Sequence, residues 1–143
     1  MIHREFEQQA KENPDRLAIL SSEETLTYAD LNQRANVLAR RILATGIELE
    51  QFVGIYLERG PNQVVAVLAI LKVGAAYVPM SPHDPKLRTA AILQDARPVL
   101  VITDQRHQDV IRSNAKILLL DEPRAGVFHQ EAHRAAVRPA AEA

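Results

Sequence analysis

Apolar positions along this chain form short uninterrupted runs that alternate with stripes at helical spacing. The runs are "LAIL" (17–20), "FVGIYL" (52–57), "AAYV" (75–78), "VLVIT" (99–103) and "KILLL" (116–120). A short run that is apolar at successive positions and bounded by turn formers reads as a strand covered on both faces. Between the runs, Leu31, Ala35, Leu38 and Ile42 recur at four, three and four residues. "TYAD" (27–30) precedes them as a capping box, and Gly46 follows as a left-handed stop. Ile2, Phe6, Gln9 and Ala10 mark an earlier helix that Asn13-Pro14 ends, because the residue before proline is pushed out of the α region. "LAIL" and "TLTY" predict a short hairpin across Glu23-Glu24. Leu87, Ala91 and Ile92 predict a weaker helix up to Asp95, and a further helix is expected over residues 105–113.

One stripe is of a different kind. "VVAVLAILKV" (64–73) is apolar all round, with Lys72 its only charge, and such a helix cannot face water. Pro61 opens it at a position where a missing amide hydrogen costs nothing, Gly74 turns the chain back, and Pro79, which has no donor, is expected to end the strand that follows. Residues 52–79 thus predict a right-handed, parallel strand–helix–strand unit. The whole pattern predicts an α/β fold: a mostly parallel sheet flanked by helices, with a small amino-terminal hairpin, over residues 1–121, followed by a polar, alanine-rich tail over 122–143. Two-faced strands and an all-apolar helix need layers above and below, and few amphipathic stripes remain to supply them. Cover of roughly 1,000 Å² from a partner, or self-association through exposed apolar surface, is therefore expected.

Composition narrows the partner classes. The 143 residues suit a single globular domain, with 47% apolar and 24% charged side chains. Seventeen basic residues against 18 acidic ones leave a net charge of −1, too little for a field that holds nucleic acid or an anionic membrane. The sequence has no cysteine, which removes disulfides, thiolate zinc sites and a cysteine nucleophile, and suits a reducing cytoplasm. A charged amino terminus and the lack of an apolar run of ~18 residues argue against export and membrane insertion.

Candidate chemistry is sparse. The five glycines, Gly46, Gly54, Gly60, Gly74 and Gly126, are too dispersed for a phosphate-cradling loop. Arg59 with Gly60-Pro61 stands where a strand end meets a helix start and could meet an anion, although the same residues make an ordinary structural turn with a solvated arginine. His129 and His133 lie one helical turn apart, a zinc-compatible spacing, but Gln130 occupies the place that the metalloprotease pattern gives to glutamate. His3, His83 and His107 show no ligand partner in the sequence. Ser21, Ser22, Ser81 and Ser113 lack a nucleophile elbow, while Asp84, Asp95, Asp104 and Asp109 fit turns and exposed helix faces. No catalytic, cofactor-binding or metal-binding residue is assigned.

The order of the motifs carries more. "FEQQAKENPDRLAIL" (6–20), "LTYADLN" (26–32) and "VGIYLERGPNQVVAVLAILKVGAAYVPMSP" (53–82) resemble the amino-terminal stretch of nonribosomal peptide synthetase adenylation domains, within the adenylate-forming, acyl-CoA synthetase-like superfamily. "LTYADLN" is similar to the family's first core motif and "LKVGAAYVPMSP" (71–82) to its second; the likeness runs over about residues 2–121. Ser81 stands where the family carries aspartate, and "HDPKLRTAA" (83–91) replaces its usual "YP" and "ER" pattern. The resemblance implies a ligase that activates an amino or other carboxylic acid with ATP and magnesium and passes the acyl group to a carrier thiol. The two motifs are mainly scaffold there, and none of the family's catalytic residues has a matching position here, so no cofactor is expected on this chain alone. It reads as an amino-terminal fragment, inactive by itself, whose partner is the rest of an adenylation domain or a synthetase or carrier protein. The alternative is a non-catalytic docking remnant that associates with synthetase proteins; a third reading is an independent small α/β protein.

Overall fold

The computed structural model describes residues 2–15, 17–20, 25–111 and 113–120; the tail over 122–143, with His129 and His133, and the turn at Glu23-Glu24 lie outside the described residues. Helix α1 (Ile2–Glu12) leads into a two-stranded antiparallel hairpin of β1 (Leu17–Leu20) and β2 (Thr25–Thr27). Helix α2 (Tyr28–Ala44), β3 (Phe52–Tyr56), α3 (Pro61–Lys72), β4 (Ala76–Met80), α4 (Lys86–Ala96), β5 (Leu100–Asp104) and β6 (Lys116–Leu120) follow. The last four strands form one parallel sheet in the order β4-β3-β5-β6.

Local chemistry sets these boundaries. Thr27 accepts from the Asp30 amide while the Asp30 carboxylate accepts from the Thr27 amide, so the capping box that opens α2 is complete. Gly46, at φ 86°, follows the last turn of α2. Gly74 adopts φ 79° after α3, where a β-carbon would strain the backbone and strike the Leu49 side chain.

The chain moves from β3 to β4 on one side and returns past β3 to β5 on the other. Two crossovers of one hand that run in opposite directions place their helices on opposite faces of the sheet. On the first face, Val53, Ile55, Leu100, Ile102 and Leu118 pack with Leu38 and Ile42 of α2 and Val65, Leu68 and Ile70 of α3, and Phe6 of α1 joins from outside. On the second, Tyr56, Met80 and Val101 pack under Leu93 of α4, with Ile92, Val110 and Ile111 alongside. Gly54 belongs to that second face, and a β-carbon there would come within 2.8 Å of Met80 Cε and 3.2 Å of Val101 Cγ2.

Helix α3 is enclosed by the chain's own elements, contrary to the expectation of external cover. Among its apolar side chains only Val64 is exposed. Lys72, at its end, has a side chain only 7% exposed, and its ammonium donates to Glu7 Oε2 of α1 at 2.5 Å and to Asn32 Oδ1 of α2 at 3.0 Å. The lone charge of an apolar helix thus joins three helices. At the other end of the layer, Arg41 donates to the Leu119 carbonyl and Lys116 to the Thr45 carbonyl, which fixes the end of α2 beside β6.

Three expectations are corrected. The helix over residues 105–113 does not form; only a single 3-10 turn, Gln108–Val110, does. Asp104 captures the His107 amide with its side chain, and a local bond of that kind competes with helix initiation in so short a segment. In α4 the sheet-facing residues are Thr89, Ile92 and Leu93, whereas Leu87 is 85% exposed and Ala91 is exposed as well. Finally, Pro79 does not end β4: it lies opposite Ile55, and Met80 pairs with Tyr56. The Ala76 amide points at β3, bonding the Gln51 carbonyl, so alternation turns the position of Pro79 to the outer margin, where no donor is required.

Replacing Lys72 by alanine is expected to lower stability by about 1.5–3 kcal/mol, the range for hydrogen bonds to charged groups. The check is the urea midpoint at unchanged m-value; a midpoint equal to that of the parent protein would show that the three-helix junction contributes nothing.

Candidate functional site

Strand order reverses between β3 and β5, whose carboxyl ends therefore open a crevice, the place where open α/β sheets gather ligands. Tyr56 ends β3, Thr103 and Asp104 end β5, Thr89 of α4 lies alongside, and His107 comes back over them from the turn after β5.

Each of these side chains has a partner. The Thr103 hydroxyl donates to the Tyr56 carbonyl at 2.7 Å and bridges the two strand ends. His107 Nδ1 lies 2.7 Å from Asp104 Oδ1, which also accepts from the His107 amide at 2.9 Å. The imidazole stands edge-on to the Tyr56 ring, with centroids 6.0 Å apart at 86°. Tyr56 is 2% exposed. Burial holds its phenol above the ordinary value of 10.0; a hydrogen bond with Thr89 offsets part of that rise, and the Asp84 carboxylate adds to it.

An imidazole oriented by a carboxylate can act as a general base. Here, among the described residues, no hydrogen bond joins its other nitrogen to a hydroxyl, and no serine falls into the cluster. Its geometry suits holding the 105–111 turn over Tyr56.

The remaining candidates scatter. Arg59 is exposed in the turn that leads to the Gly60 cap of α3, a cap without a side-chain hydrogen bond. Its neighbour Glu58 pairs with His83 Nε2 at 2.7 Å, which sets a carboxylate beside the proposed anion position. Ser81 Oγ accepts from the His83 amide, Asp84 pairs with Arg88 at 3.5 Å, and Ser113 Oγ accepts from the Ala115 amide. Asp95 and Asp109 are exposed, as expected, but Asp104 is buried. Sequence reasoning missed the Asp104–His107 and Glu58–His83 pairs; the only advance signal was an aspartate three residues ahead of a histidine at a strand end. Among the described residues no group of three His, Asp or Glu side chains could hold a metal ion. Combined with the scattered glycines, this donor set does not fit a magnesium–nucleotide site. Away from the strand ends, a groove of about 310 Å³ between α1 and α2 is lined by Ala10, Asn32, Gln33, Asn36 and Arg40. None of the described helices is long and apolar enough to cross a membrane.

The family model described as AMP-binding enzyme matches residues 6–142. Tyrocidine synthase 2 of Brevibacillus parabrevis is 42% identical over 117 residues, which is 82% of this chain and 3% of that protein. The dimodular nonribosomal peptide synthase of Bacillus subtilis (strain 168) is 40% identical over 121 residues, 83% of this chain and 5% of its own length. This chain therefore spans only a few per cent of such relatives. The solved structure of the nonribosomal peptide synthetase FmoA3 with alpha-methyl-L-serine-AMP bound superposes with a TM-score of 0.77 at 30% identity, covering 83% of this chain and 14% of that one. The N-terminal subdomain of Klebsiella oxytoca NpsA shares the fold, with a TM-score of 0.74 at 22% identity over 96% of this chain and 32% of that one.

Two outcomes test the strand-end cluster. Asp104→Ala is expected to cost about 1–3 kcal/mol, because it strips a part-buried imidazole of its partner, and to speed amide exchange within residues 105–111 more than elsewhere. For Tyr56 the linkage has a definite sign. A phenol whose folded pKa is raised stabilises the fold fully below about pH 10 and loses that contribution as pH climbs toward the folded value. Tyr56→Phe should accordingly flatten the fall in stability above that pH; equal slopes in the two proteins would contradict the burial of this phenol.

Proposed function

Since this chain belongs to the AMP-binding enzyme family and is an amino-terminal portion of a nonribosomal peptide synthetase adenylation domain, we propose that it supplies the scaffold layer of an acid-activating ligase. The whole ligase would join an amino or other carboxylic acid to the AMP moiety of ATP with release of pyrophosphate, then pass the acyl group to a carrier thiol with release of AMP. This portion would be inactive alone and would act only together with the remainder of the domain.

The positions of the two core motifs support this reading. "LTYADLN" ends β2, caps α2 and starts its buried face; "LKVGAAYVPMSP" ends α3, makes the Gly74 turn and forms β4. Leu26, Leu31, Ala75 and Met80 are buried, and the motifs build layers rather than line the strand-end crevice. No step of the reaction is assigned to residues of this chain; among the described residues no group of three His, Asp or Glu side chains could hold the metal ion.

Substrate-dependent exchange between pyrophosphate and ATP tests the proposal. The purified chain should give none, and the chain together with the remainder of a relative's adenylation domain should give exchange that depends on an added acid. Exchange by the chain alone would refute the scaffold role, and a complex that forms without any exchange would favour a docking remnant.

A further inference from the structure

Parallel sheets are normally covered on both faces, and here the described residues cover the second face only in part. Register places Phe52 beside Val99, and Ile117 beside Val101, on the face that also carries Tyr56 and Met80. Backbone bonds tie the row together, Val99 donating to the Phe52 carbonyl and Lys116 to the Val99 carbonyl. Helix α4 and the segment around Val110 and Ile111 cover the carboxyl-terminal half. On the amino-terminal half Phe52, Val99 and Ile117 stay 44%, 38% and 39% exposed. Ala76 and Val78 share that side by register, so five neighbouring positions, on β4, β3 and β6 and just ahead of β5, carry no charge or hydrogen-bonding side chain. Lys116, the neighbour of Ile117, turns to the opposite face and bonds the Thr45 carbonyl.

We propose that this half-face, centred on Phe52, Val99 and Ile117, is where the remainder of the adenylation domain docks, laying an apolar layer across the amino-terminal ends of β3, β5 and β6. The inference rests on the reading given under Proposed function. Solved relatives indicate the occupant's source, since the stretch matched here is 14% of the FmoA3 chain and the rest of that chain is available to cover such a face. The half-face is thus an assembly surface, distinct from the carboxyl-end crevice where ligands would be sought.

The test co-expresses the tagged full chain with the remainder of a relative's adenylation domain, and as a control co-expresses that remainder with the relative's own amino-terminal stretch. Capture by the parent chain is expected to fall by about tenfold or more in Phe52→Ser and in Ile117→Thr, as at a buried anchor, and to persist in Leu87→Ser on the outer side of α4. Circular dichroism melts of the free variants report on folding, and threonine keeps the strand preference at Ile117. Equal capture by all variants would overturn the docking face while leaving the proposed function in place. No capture by the parent chain, with the control intact, would overturn both. A dimer of the free chain that Phe52→Ser dissolves would assign the face to a second copy and overturn the proposal.

Discussion

Everything in this molecule follows from the requirement that a parallel sheet be buried on both sides. Because strands β3 and β5 lie at the centre and the chain reverses direction between them, α2 and α3 fall on one face and α4 on the other. The two layers are unequal. The first holds three helices around a core of aliphatic side chains. The second depends on one helix, a 3-10 turn and the lack of a side chain at Gly54, which lets Met80 and Pro98 approach the sheet.

That inequality orders the polar chemistry. On the well-covered side, Lys72 meets Glu7 and Asn32, and Arg41 and Lys116 reach backbone carbonyls. On the thinner side the carboxyl ends of the strands carry a run of paired groups, Thr103 with the Tyr56 carbonyl and Asp104 with His107. Buried polar groups are stable when they are paired, and this pairing lets the cluster close the layer over Tyr56.

Strand and helix identity was legible wherever a single periodicity ruled. The 27–46 helix with its cap and stop, the parallel unit over 52–79 and the β5 and β6 runs all stand as the pattern predicts. What escaped was decided by contacts outside the window that a pattern can see. The enclosure of α3 depends on α1, which its own residues 64–73 cannot announce. The loss of the expected helix after Asp104 depends on a side chain binding its own backbone, and the inner face of α4 on the shape of a sheet that places Thr89 inward and Leu87 outward. The site was the least legible part, because Asp104 and His107 gain meaning only once β3 brings Tyr56 against them. The motifs at 26–32 and 71–82, by contrast, were informative because they encode turns and close packing, which tolerate few residue types.

With Pro79 turned outward on β4, the sheet's first margin offers an interrupted ladder to any passing extended segment, which is how natural sheets discourage unwanted neighbours. The margin is blunted by a ring rather than by charge, and accretion of foreign strands, the first step toward insoluble fibrils, is deterred on that flank without a single ionisable group being spent.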